Sequence, residues 1–136
     1  MKLFQTRIVT TNVPALMRFY QELTGATPVG AEDYVEFAIV GAGLAICSKR
    51  SIDAFSAGAA QPATNQSVLL DFQVEDVDRE RARIASFVRE FVLEPTNQPW
   101  GNRSMLFRDP DGNLINFFTP IPALIASFLR PTHDQH

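Results

Sequence analysis

The chain has 136 residues, 46% of them hydrophobic, and a net charge of −3 with acids and bases intermixed. That composition specifies one compact domain with a real core. It excludes a disordered chain and a phosphate-backbone binder, which needs a basic face. The single cysteine, Cys47, excludes an intrachain disulfide and a cysteine-rich zinc site.

Eleven phenylalanines imply either a bulky core or an aromatic-lined cavity. The first twenty residues lack the continuous apolar core of a signal peptide, and no apolar run reaches the ~20 residues of a membrane helix. The resulting expectation is a soluble, cytoplasmic protein with no nucleic-acid or membrane partner.

Residues 3–10, LFQTRIVT, alternate as a half-buried strand does. Asn12 then caps a helix with Pro14 in its first turn, where the missing N–H does no harm. Leu16, Phe19, Tyr20 and Leu23 recur at helical spacing, and Gly25 stops the helix. Strands follow near 27–31, 34–40 and 43–49, with Gly41–Gly43 (GAG) read as a hairpin turn because a strand follows it. Residues 56–67, SAGAAQPATNQS, have the composition of a linker.

Beyond the linker the pattern restarts. SVLLDFQV (67–74) reads as a strand, and Asp76 or Asp78 caps a helix carrying Ile84, Phe87, Val88 and Phe91. Strands near 91–97 and 100–108, the Asp109-Pro110-Asp111-Gly112 turn and a strand over 113–119 complete the series. Ile121, Leu124, Ile125, Phe128 and Leu129 predict a short amphipathic C-terminal helix. The order is β-α-β-β-β twice, an internal repeat. Thr10 falls on Val74 and Leu44 on Leu114. The expected division is a first module over 1–55, a linker over 56–67, a second module over 68–120, and a helix and tail over 121–136.

At VPALMRFYQELTG, FQVEDVD and above all PWGNRSMLFRDPDGNLINFF, the chain resembles the vicinal-oxygen-chelate superfamily. That superfamily includes glyoxalase I, extradiol dioxygenases, fosfomycin-resistance proteins and bleomycin-resistance binding proteins. The resemblance covers residues 3–119. It implies an α+β fold in which two paired βαβββ modules form a cupped mixed sheet around a cavity, with helices outside and modules often exchanged between two chains.

Metal-dependent members hold a divalent ion with His, Gln or Glu at four positions. Carried over by motif, these fall on Gln5, Ile46, Leu69 and Asn116. Two amides and two hydrocarbon side chains are a poor set for a hard cation. The expectation is therefore no metal and no cofactor.

Strand alternation puts Gln5, Arg7 and Val9 on one face, with Leu69, Asp71 and Gln73 in the same role in the second module. Asn116 and Gln5 are either structural amides or ligand contacts. Arg7 and Asp71 either pair across the module seam or anchor a ligand, and an unpaired Asp71 can act as a general base. Pairing the last hairpin sets Phe107 opposite Leu114, Met105 opposite Asn116 and Arg103 opposite Phe118, all on the concave face. Arg103 then either binds an anionic or carbonyl group or stays solvated.

Trp100 either stacks on a ligand or covers the core. Phe37 and Ile39 are expected to face inward with Leu44 and Ile46. Cys47 reads as a small buried hydrophobe, since both histidines, His133 and His136, lie in the tail.

The function expected is metal-free binding of an aromatic or apolar small molecule by a homodimer. The alternative is a lyase, isomerase or dioxygenase of the same superfamily acting on a small oxygenated substrate. A purely structural dimerisation module is a third class.

Overall fold

The structure, a computed structural model, describes residues 1–122. In chain order the elements are β1 (Gln5–Thr10), α1 (Val13–Thr24), β2 (Val29–Ala31), β3 (Tyr34–Ile39) and β4 (Ala42–Ser48). They continue with α2 (Lys49–Phe55), β5 (Leu69–Gln73), α3 (Val77–Ile84), β6 (Phe91–Asn97), β7 (Asn102–Arg108) and β8 (Leu114–Pro120). The expected C-terminal amphipathic helix falls on residues 123–136, outside the described residues, apart from its first two positions.

The repeat is visible in how the helices start. Asn12 accepts a hydrogen bond from the Ala15 N–H, and Asp76, 64 positions on (76 − 12), accepts one from the Arg79 N–H. The two four-stranded sheets then share one topology, β1-β4-β3-β2 and β5-β8-β7-β6, with β1 parallel to β4 and β5 parallel to β8. This is an α+β fold of two βαβββ modules. The chain forms two compact units. The first holds Met1–Ser67 together with the turn Asp109–Asn113, and the second holds Val68–Arg108 and the described residues from Leu114.

In the first unit, Val13, Leu16, Phe19, Tyr20 and Leu23 are the buried stripe of α1. Strand register pairs Ile8 with Ile46, Ile46 with Val35 and Leu44 with Phe37, so these apolar side chains share one face of the sheet. All of them but Ile8 are fully buried. Gly43 is required beside β1, because a Cβ there would lie 2.9 Å from Gln5 Cβ.

The second unit buries Met105, Phe107, Ile115 and Phe117. The Phe107 and Phe117 rings meet edge to face at 5.0 Å, and Phe72 meets Phe117 at 5.7 Å. Here the phenylalanines build core.

The turn joining β7 to β8 is fixed by one carboxylate. Asp109 is buried, and its two oxygens take four hydrogen bonds. Oδ1 accepts the N–H groups of Asp111 and Asn113, each at 2.9 Å, while Oδ2 accepts Tyr20 Oη–H at 2.7 Å and Asn113 Nδ2–H at 2.8 Å. Gly112, at φ 84°, takes the left-handed position, and its N–H bonds Asp109 O. Asn65 donates to Asn113 Oδ1, tying the segment before β5 to the same turn.

Several expectations are corrected. Residues 49–55 form α2, started by Ser48, whose hydroxyl accepts the Ser51 N–H. α3 ends at Ile84, so Phe87 and Val88 lie beyond it and Phe91 opens β6. Trp100 precedes β7, in the turn that Gly101 N–H closes onto Gln98 O, and is half exposed.

The largest correction is to the last hairpin. Arg108 pairs with Leu114 across a five-residue turn, so Phe107 faces Ile115, Met105 faces Phe117 and Arg103 faces Thr119. A register one residue off reverses every side chain. Met105, Phe107 and Arg103 therefore lie on the face opposite Asn116.

Burial raises the Tyr20 phenol well above its ordinary value of 10.0, and the adjoining Asp109 carboxylate adds to the shift. A phenol raised in this way contributes stability below pH 10 that is lost as pH climbs through its folded-state value. Tyr20→Phe removes a hydrogen bond to a charged acceptor and is expected to cost about 1.5–3 kcal/mol at neutral pH. Urea unfolding at pH 7 and pH 11 checks this, with the variant losing less stability than the parent between the two.

Candidate functional site

Each unit has a sheet face turned away from its core, and most of the polar residues marked out by the sequence lie on these two faces. In the first unit the register carries Gln5, Arg7 and Val9 with Gly43, Ala45 and Cys47, and then with Ala38, Glu36 and Tyr34. Gln5 Nε2 donates to Tyr34 Oη at 2.8 Å, and Tyr34 Oη donates to Glu36 Oε2 at 2.7 Å. The Gln5 amide is thus oriented by Tyr34. Arg7 and Glu36 are exposed on either side of Ala45. Tyr34 and Glu36 went unnoticed in the sequence, although their two-residue spacing on a strand is the signal that would have joined them to Gln5.

Ile46 and Phe37 do not join Gln5. They sit on the core face of the same sheet, as do Leu44 and Ile39. The reason lies in the repeat. Gln5 pairs with Gly43 as Leu69 pairs with Leu114, so the two closing strands correspond with an offset of 71 (114 − 43). The expected offset of 70 moved the reading one residue along β4. The first-unit counterpart of Asn116 is Ala45.

In the second unit the register carries Leu69 with Leu114, Asp71 with Asn116 and Leu106, and Gln73 with Phe118 and Ser104. Asn116 Nδ2 donates to Asp71 Oδ1 at 3.1 Å. This bond orients the amide and turns its oxygen away from the carboxylate. Asn116 Oδ1 is buried and finds no partner among the described residues. A buried acceptor of this kind calls for a donor, and leaving it without one costs about 1–3 kcal/mol. Leu69, 44% exposed, and Phe118, Leu114 and Leu106 give the same face an apolar surround.

Arg103 is committed elsewhere. Its guanidinium binds Asp78 through Nε at 2.7 Å and Nη2 at 3.0 Å, and its Nη1 donates to Asn97. These bonds hold the Asp78 carboxyl below its usual range. The expected anion-binding arginine at a cavity mouth is a clamp between α3 and β7.

The four positions that hold metal in metal-dependent proteins of the resembled type carry Gln5, Ala45, Leu69 and Asn116 once the register is applied. A methyl and an isobutyl group offer no lone pair, and a neutral amide is a weak donor to a hard cation. Neither pair, Gln5 with Ala45 in the first unit or Leu69 with Asn116 in the second, offers a divalent ion an anionic or imidazole ligand. Among the described residues, no group of three or more His, Cys, Asp or Glu is placed to hold one.

Residues 2–117 match the sequence profile described as Glyoxalase/Bleomycin resistance protein/Dioxygenase superfamily. No curated protein matches the chain significantly. Among solved structures, a protein of unknown function from Agrobacterium tumefaciens str. C58 is 27% identical, with a TM-score of 0.75, covering 89% of this chain and 95% of that one. A glyoxalase/bleomycin resistance protein/dioxygenase family enzyme from Burkholderia phytofirmans PsJN aligns at TM-score 0.78 and 15% identity, over 89% of this chain and 100% of its own. The fosfomycin resistance protein FosX from Mesorhizobium loti aligns at 0.67 and 18% identity, over 90% and 94%. At such identities these last two likenesses speak to fold.

Two substitutions separate core from site. Phe107→Ala is expected to cost about 3–5 kcal/mol, as a fully buried aromatic does. Asn116→Leu removes the unpaired acceptor and is expected to leave the melting temperature unchanged or raised. Thermal unfolding of both variants followed by circular dichroism checks the pair.

Proposed function

This chain belongs to the Glyoxalase/Bleomycin resistance protein/Dioxygenase superfamily, and from that membership we propose that it binds a small aromatic or apolar molecule without a metal ion. The observation that carries the reading is the chemistry at Gln5, Ala45, Leu69 and Asn116, where metal ligands are replaced by amides and hydrocarbon. The apolar surround of Asn116 supports it, because small-molecule sites combine apolar walls with a few oriented polar groups.

Gln5, Arg7, Leu69, Asp71, Asn116 and Phe118 are the proposed contacts. Trp100 is a lesser one, and Ile46, Phe37, Met105, Phe107 and Arg103 are left out by their place in the core or in ion pairs. The proposal keeps module one at 1–55 and module two at 68–120, working as a homodimer in the cytoplasm. β1 and β5 stand at the edges of their sheets beside the exposed Phe4 and Val68, which supports association with a second chain. The lone Cys47, buried and free, suits a reducing compartment. No helix among the described residues is long and apolar enough to cross a membrane.

The purified protein is expected to retain no stoichiometric transition metal after dialysis against chelator, by elemental analysis. One zinc, nickel, iron or manganese per chain overturns the reading. Leu69→His combined with Asn116→Glu sets an imidazole and a carboxylate beside Asp71 on one face, and is expected to raise zinc affinity at least ~10-fold. A thermal-shift screen of aromatic metabolites and antibiotics tests binding itself. Turnover of a keto or epoxide substrate in place of binding would favour an enzyme.

A further inference from the structure

Resting on that binding reading, we propose that the Asp71–Asn116 pair recognises a protonated amine, making the ligand an apolar cation. The inference starts from the amide's orientation. The ionised Asp71 carboxylate can only accept, so it captures the Nδ2–H edge of Asn116 and leaves Oδ1 unpaired. The pair then offers two acceptors, the free edge of the Asp71 carboxylate and the Asn116 carbonyl oxygen, against the one remaining Nδ2 hydrogen. A ligand hydroxyl supplies one hydrogen and satisfies one of them. An ammonium group supplies up to three and satisfies both.

Charge points the same way. Asp71 is exposed, and its hydrogen-bond partner is a neutral amide. The one basic side chain that register places on this face of the second unit's sheet is Arg108, which Glu90 holds at 3.2 Å. On this face of the second unit's sheet the register therefore sets no basic side chain of its strands on Asp71. The rows on either side, Leu69 with Leu114 and Gln73 with Phe118, together with Leu106 across the strand, supply apolar surface next to the pair. An amine on a short apolar body meets both requirements. Its ammonium bonds Asp71 and, when the Asn116 amide turns about its soft terminal torsion and gives up its own bond to Asp71, Oδ1.

An amide suits position 116 better than its nearest alternatives. A leucine there would remove the unpaired acceptor, and an aspartate would place two carboxylates side by side. Asparagine orients Asp71 and keeps one acceptor in reserve.

The test is calorimetric titration of the full chain at pH 7 with 2-phenylethylamine, 2-phenylethanol and 3-phenylpropionate, which share one ring and differ in head group. The amine is expected to bind at least ~10-fold more tightly than the alcohol, with the carboxylate weakest. Asp71→Asn, which keeps shape and removes charge, is expected to bring the amine to the level of the alcohol. Asn116→Leu is expected to weaken amine binding about 5- to 10-fold without lowering the melting temperature. Equal binding of amine and alcohol, tightest binding of the carboxylate, or an Asp71→Asn variant that keeps the preference would each overturn the amine site and leave the binding reading standing. If none of the three binds at millimolar concentration, the binding reading falls and the amine site with it.

Discussion

The arrangement depends on the Asp109 carboxylate and the four hydrogen bonds that saturate it. A carboxylate has four good acceptor positions, and Tyr20, Asp111 and Asn113 occupy all of them from inside a buried pocket. Two of those donors are backbone N–H groups of the turn, so the turn is closed at five residues. Turn length sets strand register, and register sets which side chains face which way. That count sets Asn116 opposite Leu106 and on the face away from Phe107.

Its first consequence is a division of labour between the two sides of β7 and β8. Met105, Phe107, Ile115 and Phe117 close the core, and the edge-to-face contacts of Phe117 with Phe107 and Phe72, with the tilted contact of Phe107 on Phe91, give it shape as well as area. Ser104, Leu106, Leu114, Asn116 and Phe118 are left for the other side. The same hairpin one residue out of step would put Asn116 and Phe107 on one face, so that either the amide is buried among aromatic rings or Phe107 is exposed. Hydrophobic burial and the turn's polar network therefore select the same register. Agreement between independent local and global preferences is what makes one structure stable.

Much of this was legible in the sequence. Helical spacing in α1, the caps at Asn12 and Asp76, and the repeated element order are local signals, and the structure carries each of them. Misreadings arose where a single residue of register decided the outcome. Asp-Pro-Asp-Gly announces a turn without saying whether Asn113 belongs to it, and Asn113 does, through its own N–H and its amide. The same slip moved Ala45 to Ile46, because both sit in the apolar run of β4 and periodicity alone cannot place a uniformly buried strand. α2 was hidden because Ser48-Lys49-Arg50-Ser51 reads as a polar break until the Ser48 cap is seen. Arg103 looked like an open cation because its partner, Asp78, lies 25 residues away on another element.

The central claim is the register of the last hairpin, since it puts Asn116, which β5 pairs with Asp71, on the face away from Phe107. The most direct measurement is nuclear Overhauser spectroscopy on labelled protein, read for backbone proton contacts between β7 and β8. The account predicts contacts joining Phe107 to Ile115, Leu106 to Asn116 and Met105 to Phe117. Contacts joining Phe107 to Leu114 and Met105 to Asn116 would contradict it, and would return the aromatic residues to the face from which the structure removes them.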